Sequence, residues 1–241
     1  MDRYWPKSGY QMLLTITNNN SSKELEYVDL FEAYPVDGII LVGTVLTRAH
    51  KKKLKECKVP IVVIGQYTKE TSCVYHDDYG AAKALAEQVG REASGRVAYI
   101  GVTREDKAAG AAREDGFREG LKEVGKELEE SCLRRAKFTM ESGYEQAVDL
   151  LEKEHDIDII SCATDTIAAG AIEAIAQYSP ERKIQVTGFG DNQFLKAVTG
   201  GIRTVHFAYQ TSGIKGAELL LEMIESEKTR MTEMKLGCEL V

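Results

Sequence analysis

A chain of 241 residues with 43% hydrophobic content can build one large or two small α/β domains with real cores, and it is too apolar to be disordered. A net charge of -7, with acids and bases interspersed, gives no basic face for nucleic acid. Five cysteines, Cys57, Cys73, Cys132, Cys162 and Cys238, stand singly and in no CxxC spacing, which argues against a disulfide framework and a zinc site and fits a reducing cytoplasm.

Met1 to Tyr10 carries charges and Trp5 but no apolar signal-peptide core, and no run reaches the roughly 18 apolar residues of a membrane span. A soluble cytoplasmic protein with no membrane partner is expected. Gln11 to Ile16 reads as a strand ending in the polar loop Asn18-Asn19-Asn20. Ser21-Ser22-Lys23-Glu24 has capping-box spacing and opens a helix that Pro35 ends. Gly38 to Val42 reads as a second strand, and Thr47 caps a basic helix through His50, Leu54 and Cys57, with Lys51, Lys52, Lys53 and Lys55 as its solvated face. Ile61 to Gly65 and Cys73 to His76 are further strands, and Gly80 to Val89 is a helix behind Asp77-Asp78-Tyr79.

Val97 to Ile100 opens a second series of the same kind. Arg113 to Val124 reads as helix, Ala136 to Phe138 as strand and Ser142 to Leu151 as helix. Ile157 to Cys162 is a buried apolar strand that stops at Ala163-Thr164-Asp165-Thr166, and a helix of small and aliphatic residues follows to Ile175. That polar corner reads either as a turn with a cap or as the ligand edge of a parallel sheet. Ile184 to Thr187 is the next strand, Arg203 to Val205 a short one, and Ser212 to Ile224 a long helix.

Strand and helix thus alternate in two series without a Pro/Ser-rich linker, the pattern of two doubly wound parallel-sheet α/β lobes sharing a cleft. The expected division is 1–101 for the first lobe and 102–241 for the second. Crossovers fall near 101 and 203–209, and the segment from 207 to 225 returns to the first lobe. Nothing before Gln11 supplies a central first strand and helix, so the first lobe reads as truncated.

No catalytic constellation is present: the four histidines lie apart, HExxH and GxSxG are absent, and Gly188-Phe189-Gly190 is not a dinucleotide fingerprint. His76 and His206 fall near strand ends. The residues that would converge on one edge are hydroxyls, amides and carboxylates, among them Gln66, Asp78, Lys107, Phe138, Thr164, Asp165 and Asp191. Such a set with an aromatic platform suits a polyol, and its plainer reading is solvated loops.

The stretches ATDTIAAGAIEAI and IQVTGFGDN, Arg113-Glu114-Asp115-Gly116-Phe117 at a helix start, and Phe138 ahead of Ser142-Gly143-Tyr144 resemble the effector-binding domain of the LacI/GalR family of bacterial transcription regulators. The resemblance covers nearly the whole chain. CVYHDDYGAAKAL, YIGVTREDKAAGAAREDGF, SGYEQA and CATDTIAAGA are most similar to regulators of trehalose operons.

What the resemblance implies is a type I periplasmic-binding-protein-like fold and a sugar or sugar phosphate effector, with trehalose or its 6-phosphate expected. Arg113 would reach the ligand from a helix N-terminus, Phe138 would stack on it, and Thr164 would bond it with Asp165 capping beside it. Phe207 and Tyr209 would line the cleft, and Lys107 would lie in a contact loop. A homodimer would read operator DNA through an N-terminal helix-turn-helix absent from these residues. No metal, cofactor or enzymatic step is implied. A transport-linked sugar-binding protein and a sugar-phosphate enzyme are the alternatives. The family's Gly-aromatic-Asp motif places its carboxylate where this chain has Gly190, with Asp191 next.

Overall fold

The computed structural model describes residues 9–226 and 230–241. The reading of residues 1–8, Trp5 included, lies outside them. The chain divides into two compact units, Met1–His76 with Ala208–Leu236, and Asp77–Phe207 with Gly237–Val241. Each is an α/β layer structure.

In the first unit the strands β1 (Ile39–Val42), β2 (Ile61–Ile64), β3 (Ser72–His76) and β9 (Glu233–Leu236) form a parallel sheet in that order. Helices α1 (Ser21–Ala33) and α2 (Arg48–Glu56) cover a core of Val28, Ile39, Leu41, Leu54, Ile61, Val63 and Cys73. The alternate residues Val62 and Val74 turn instead to α8 (Tyr209–Glu225), against Ala217, Leu219 and Leu220. Asn20, not Ser21, caps α1, accepting from Ser22 N and Lys23 N at 3.1 Å each. Thr47 caps α2 as the spacing predicts. Lys53 is not simply solvated: it reaches Glu32 at 3.0 Å and pairs with Asp29, tying α2 to α1.

Residues 11–16 are not a strand. They join no sheet among the described residues, and Leu13, Leu14 and Ile16 are 73%, 75% and 71% exposed. The apolar run has strand propensity, but a strand is a ladder of backbone hydrogen bonds, and the sheet ends at β1 without a partner for this segment.

In the second unit the sheet order is β10 (Cys238–Leu240), β8 (Arg203–Phe207), β7 (Gln185–Phe189), β6 (Ile157–Cys162), β4 (Arg96–Gly101) and β5 (Leu133–Arg135). All neighbours are parallel except β10, which runs antiparallel to β8. Strands β9 and β10 have no counterpart in the sequence reading. The division near 101 is corrected to His76/Asp77, because β4 lies between β6 and β5 and cannot leave that sheet. The chain returns to the first unit over Ala208–Leu236.

The strand expected at 136–138 forms three residues earlier. The ladder to β4 closes with Ala136 N on Gly101 O at 2.8 Å, and Lys137 N then turns to Ser142 Oγ at 3.0 Å. Helices α3 (Asp78–Glu92) and α4 (Arg113–Glu123) pack together through glycine: a Cβ on Gly116 would stand 2.2 Å from Tyr79 O. The glycine of Arg113-x-x-Gly116-Phe117 is thus a packing requirement, and Phe117 beside it is fully buried. Helices α5 (Met140–Lys153) and α6 (Asp165–Tyr178) approach in the same way, a Cβ on Gly170 falling 2.1 Å from Met140 O.

Candidate functional site

Strand β6 delivers the polar corner as its apolar run predicts, and each residue there then acquires a partner. Thr164, in extended backbone, caps α6 by accepting from Ile167 N at 3.2 Å. Asp165 does not cap. It is 4% exposed, and its carboxylate accepts the Thr204 hydroxyl at 2.6 Å and Asn192 N–H at 2.7 Å. The cap expected of Asp165 is therefore made by Thr164, because the residue in extended backbone before the helix is the one whose side chain reaches N3.

Arg113 opens α4 directly after a π-helical segment, Lys107–Ala112, which Asp106 caps by accepting from Ala108 N and Ala109 N at 3.0 and 2.9 Å. Such segments commonly re-aim a side chain at a functional position. The Arg113 side chain is 10% exposed; Nε donates to Asp78 Oδ1 at 2.7 Å and Nη1 to Ala163 O at 2.5 Å. Its guanidinium carbon sits 4.8 Å from the Phe189 ring centre and 4.7 Å from that of Phe207. Asp78 is itself 5% exposed, at the first turn of α3, where the helix dipole also favours an anion.

Phe207, expected to line the ligand surface, is 2% exposed and supports the guanidinium from within the core. It lies on the buried side of β8, while His206, the residue before it, turns outward. Phe189, the second ring, belongs to the Gly188-Phe189-Gly190 stretch, which the sequence tests as a phosphate loop and as part of the family motif without assigning the ring a contact with Arg113. Alternation along Gln185–Phe189 was the signal available for it.

After β7, Gly190 (φ 142°) and Asp191 (φ 54°) take positive φ and turn the loop. The Asp191 carboxylate meets His206 Nδ1 at 2.8 Å and forms an ion pair with Lys196 of α7 (Gln193–Thr199). Lys196 first and His206 after it, against the opposing effect of burial, hold the Asp191 carboxyl below the usual range. Asn192 caps α7, accepting from Phe194 N and Leu195 N at 3.0 Å each.

Asp78, Arg113, Thr164, Asp165 and Asp191 thus form one connected edge of the second unit. Phe138 lies after β5, half-buried against the same core. Lys107 is exposed, its ammonium donating to Arg104 O at 3.2 Å. Cys238, on β10, is pushed up to about 11 by burial and by the nearby Asp78 charge, so its thiol stays protonated at neutral pH. A groove of about 520 Å³ bounded by Thr103, Arg104, Glu105, Arg135, Lys137 and Ser142 is separate from this edge. Buried Glu114 anchors two of its arginines, Arg104 at 3.1 Å and Arg135 at 2.6 Å.

In the first unit, Gln66 follows β2 and is 4% exposed, while Tyr209 opens α8 and is 58% exposed, edge-on to His76 at 5.9 Å. Among the described residues no group of three His, Cys, Asp or Glu is placed to hold a metal ion, and no helix is long and apolar enough to cross a membrane.

Over residues 1–240 the chain matches the family described as periplasmic binding proteins and sugar binding domain of the LacI family. It is 28% identical over 223 residues to the sucrose operon repressor of Staphylococcus xylosus, covering 90% of this chain and 68% of that protein. It is 24% identical over 221 residues to the transcriptional regulator TreR of Salmonella typhimurium, covering 90% and 67%. Among solved structures it is similar to a transcriptional regulator CelR–cellobiose complex, with a TM-score of 0.88, 23% identity, and 98% of this chain and 73% of that one covered. The trehalose repressor from Escherichia coli gives a TM-score of 0.83, 20% identity, and coverage of 98% and 89%.

Proposed function

We propose, for a chain that belongs to the family of periplasmic binding proteins and LacI-type sugar-binding domains, that it is the effector-sensing part of a transcriptional repressor whose effector is a small sugar or sugar phosphate. The observation that carries this reading is the Asp78–Arg113 pair joined through Ala163 O to the Thr164–Asp165 corner. Fixed carboxylates, hydroxyls and a guanidinium satisfy the paired donors and acceptors of sugar hydroxyls, and a half-buried ring such as Phe138 packs on the C–H face. The proposed ligand contacts on this edge are Asp78, Lys107, Arg113, Phe138, Thr164, Asp165 and Asp191, all of the second unit. Phe207 acts from beneath Arg113. Repressors of sucrose and trehalose genes among the relatives support a disaccharide, trehalose or a related one.

The protein is a cytoplasmic binding module rather than an enzyme. Effector binds one conformational state of the repressor more tightly and so shifts its population. Operator DNA is read by a helix-turn-helix outside these residues, carried by each copy of a homodimer. Phe194 and Val198, one turn apart on α7 and 86% and 81% exposed, supply an apolar stripe for the second copy.

A thermal-shift screen of disaccharides and their phosphates, followed by calorimetry, tests the reading. At least one compound raises Tm, and Arg113→Ala and Phe138→Ala each weaken its binding about tenfold or more while the protein stays folded. A flat screen removes the sugar assignment. Unchanged affinity in both variants removes the site.

A further inference from the structure

The charges on the second unit's edge bear on whether the effector carries a phosphate: we infer that this edge selects an uncharged sugar over the phosphate of the same sugar. The inference rests on the sugar-sensing reading above.

The basic side chains named on this edge, Arg113, Lys196, His206 and Lys107, are each engaged, His206 with Asp191 at 2.8 Å. Arg113 is held by Asp78 at 2.7 Å and by Ala163 O at 2.5 Å, with Phe189 and Phe207 rings on its guanidinium. Lys196 is paired with Asp191. Lys107 lies in solvent with its ammonium on Arg104 O at 3.2 Å, a single hydrated charge on a flexible stem.

Two of the three carboxylates are thereby matched, and the third is not. Asp165 is 4% exposed, and its hydrogen-bond donors among the described residues are both neutral, the Thr204 hydroxyl and the Asn192 backbone N–H. Among the described residues Asp165 is therefore the carboxylate of this set with no basic side chain on it, while Lys196 and His206 both stand on Asp191. A phosphate placed here has no free buried cation to meet. It would either draw Arg113 or Lys196 away, leaving Asp78 or Asp191 uncompensated, or stand in the field of Asp165.

A free sugar meets none of these costs. Its hydroxyls can donate to the Asp191 carboxylate and accept from the Thr164 hydroxyl, whose oxygen takes the Ile167 N–H and whose proton is left for the ligand. No ion pair has to break or form.

Calorimetric titration of the 241-residue protein at neutral pH with trehalose, sucrose and cellobiose, and with the 6-phosphate of each, tests this. The tightest ligand is expected to be a free sugar, about tenfold or more tighter than its own phosphate. Its affinity should change by no more than about twofold when salt is raised from roughly 50 to 500 mM. A phosphate that binds as tightly as its free sugar, or a free-sugar affinity that falls steeply with salt, overturns the inference. Binding of phosphates alone leaves the sugar-sensing reading standing and removes only this selection. Binding of neither form removes both.

Discussion

At the carboxyl edge of the second unit, Asp78, Arg113, Asp165 and Asp191 are each held by partners from other elements of that unit. In the first unit Gln66 follows β2, His76 ends β3 and Tyr209 opens α8, an amide and two rings, and the buried carboxylate–imidazole contact of that unit lies elsewhere. It joins α1 to α2, His50 Nε2 to Glu24 Oε2 at 3.0 Å with Thr47 Oγ1 2.8 Å from Nδ1, both acidic and imidazole side chains being almost fully buried. The second unit's buried Asp78–Arg113 pair lies at this edge, whereas the first unit's buried His50–Glu24 contact joins helices. A set of charges fixed before a ligand arrives gives orientation and selectivity at little cost in reorganisation, and it makes the edge structurally expensive to disturb.

Breaking the pair at the edge should therefore give the largest effect. Asp78→Ala leaves the Arg113 guanidinium buried without its counter-charge and should lower stability by roughly 3–5 kcal/mol in urea unfolding. Combining it with Arg113→Met should recover much of that loss. An additive double variant would mean the pair is not coupled. The matching change in the first unit, Glu24→Ala, removes the acceptor of His50 and should cost about 1–3 kcal/mol by the same measurement.

The third test uses pH. Burial opposes ionisation of Glu114, but Arg135, Arg104 and Arg118 outweigh it and hold the carboxyl below the usual range. A folded value below the unfolded one, near 4.3, means the contribution is complete above that pH and is lost as pH falls through the lower folded value. Glu114→Gln should thus unfold with a flatter acid dependence below about pH 4 than the parent protein, seen in urea midpoints across a pH series. An unchanged slope would show the carboxylate to be unperturbed. Smallest of all, Tyr99→Phe deletes a fully buried hydroxyl that has no partner among the described residues. It should leave stability unchanged or raise it by about 1 kcal/mol.

Where a segment's pattern and its neighbours agreed, the sequence was sufficient. Ile157–Cys162 forms strand β6 over the residues expected, and Arg113 stands at a helix start as its motif requires. The same reasoning failed for residues 11–16, whose apolar run reads as a strand but finds no ladder among the described residues. It also misassigned Thr164 and Asp165, since either can cap and only the Thr204 and Asn192 donors, 39 and 27 residues away in sequence, decide which carboxylate is taken. Phe207 and Phe189 show the same limit. One was expected to line the ligand surface and the other was given no contact with Arg113, and the pairing of both with Arg113 depends on helix α4 and strands β7 and β8, far apart along the chain, meeting in one unit.

By itself the sequence determined the alternation of strand and helix, the two series, the helix cap at Thr47, and the residue types able to furnish a sugar site. These follow from periodicity and local hydrogen bonding, which act within a few residues. Only the tertiary structure decided that the division falls at His76, that Asp78 pairs with Arg113, and that Asp165 is held by neutral donors among the described residues. Charge compensation depends on distance in space and on burial, and neither quantity is carried by the order of residues along the chain.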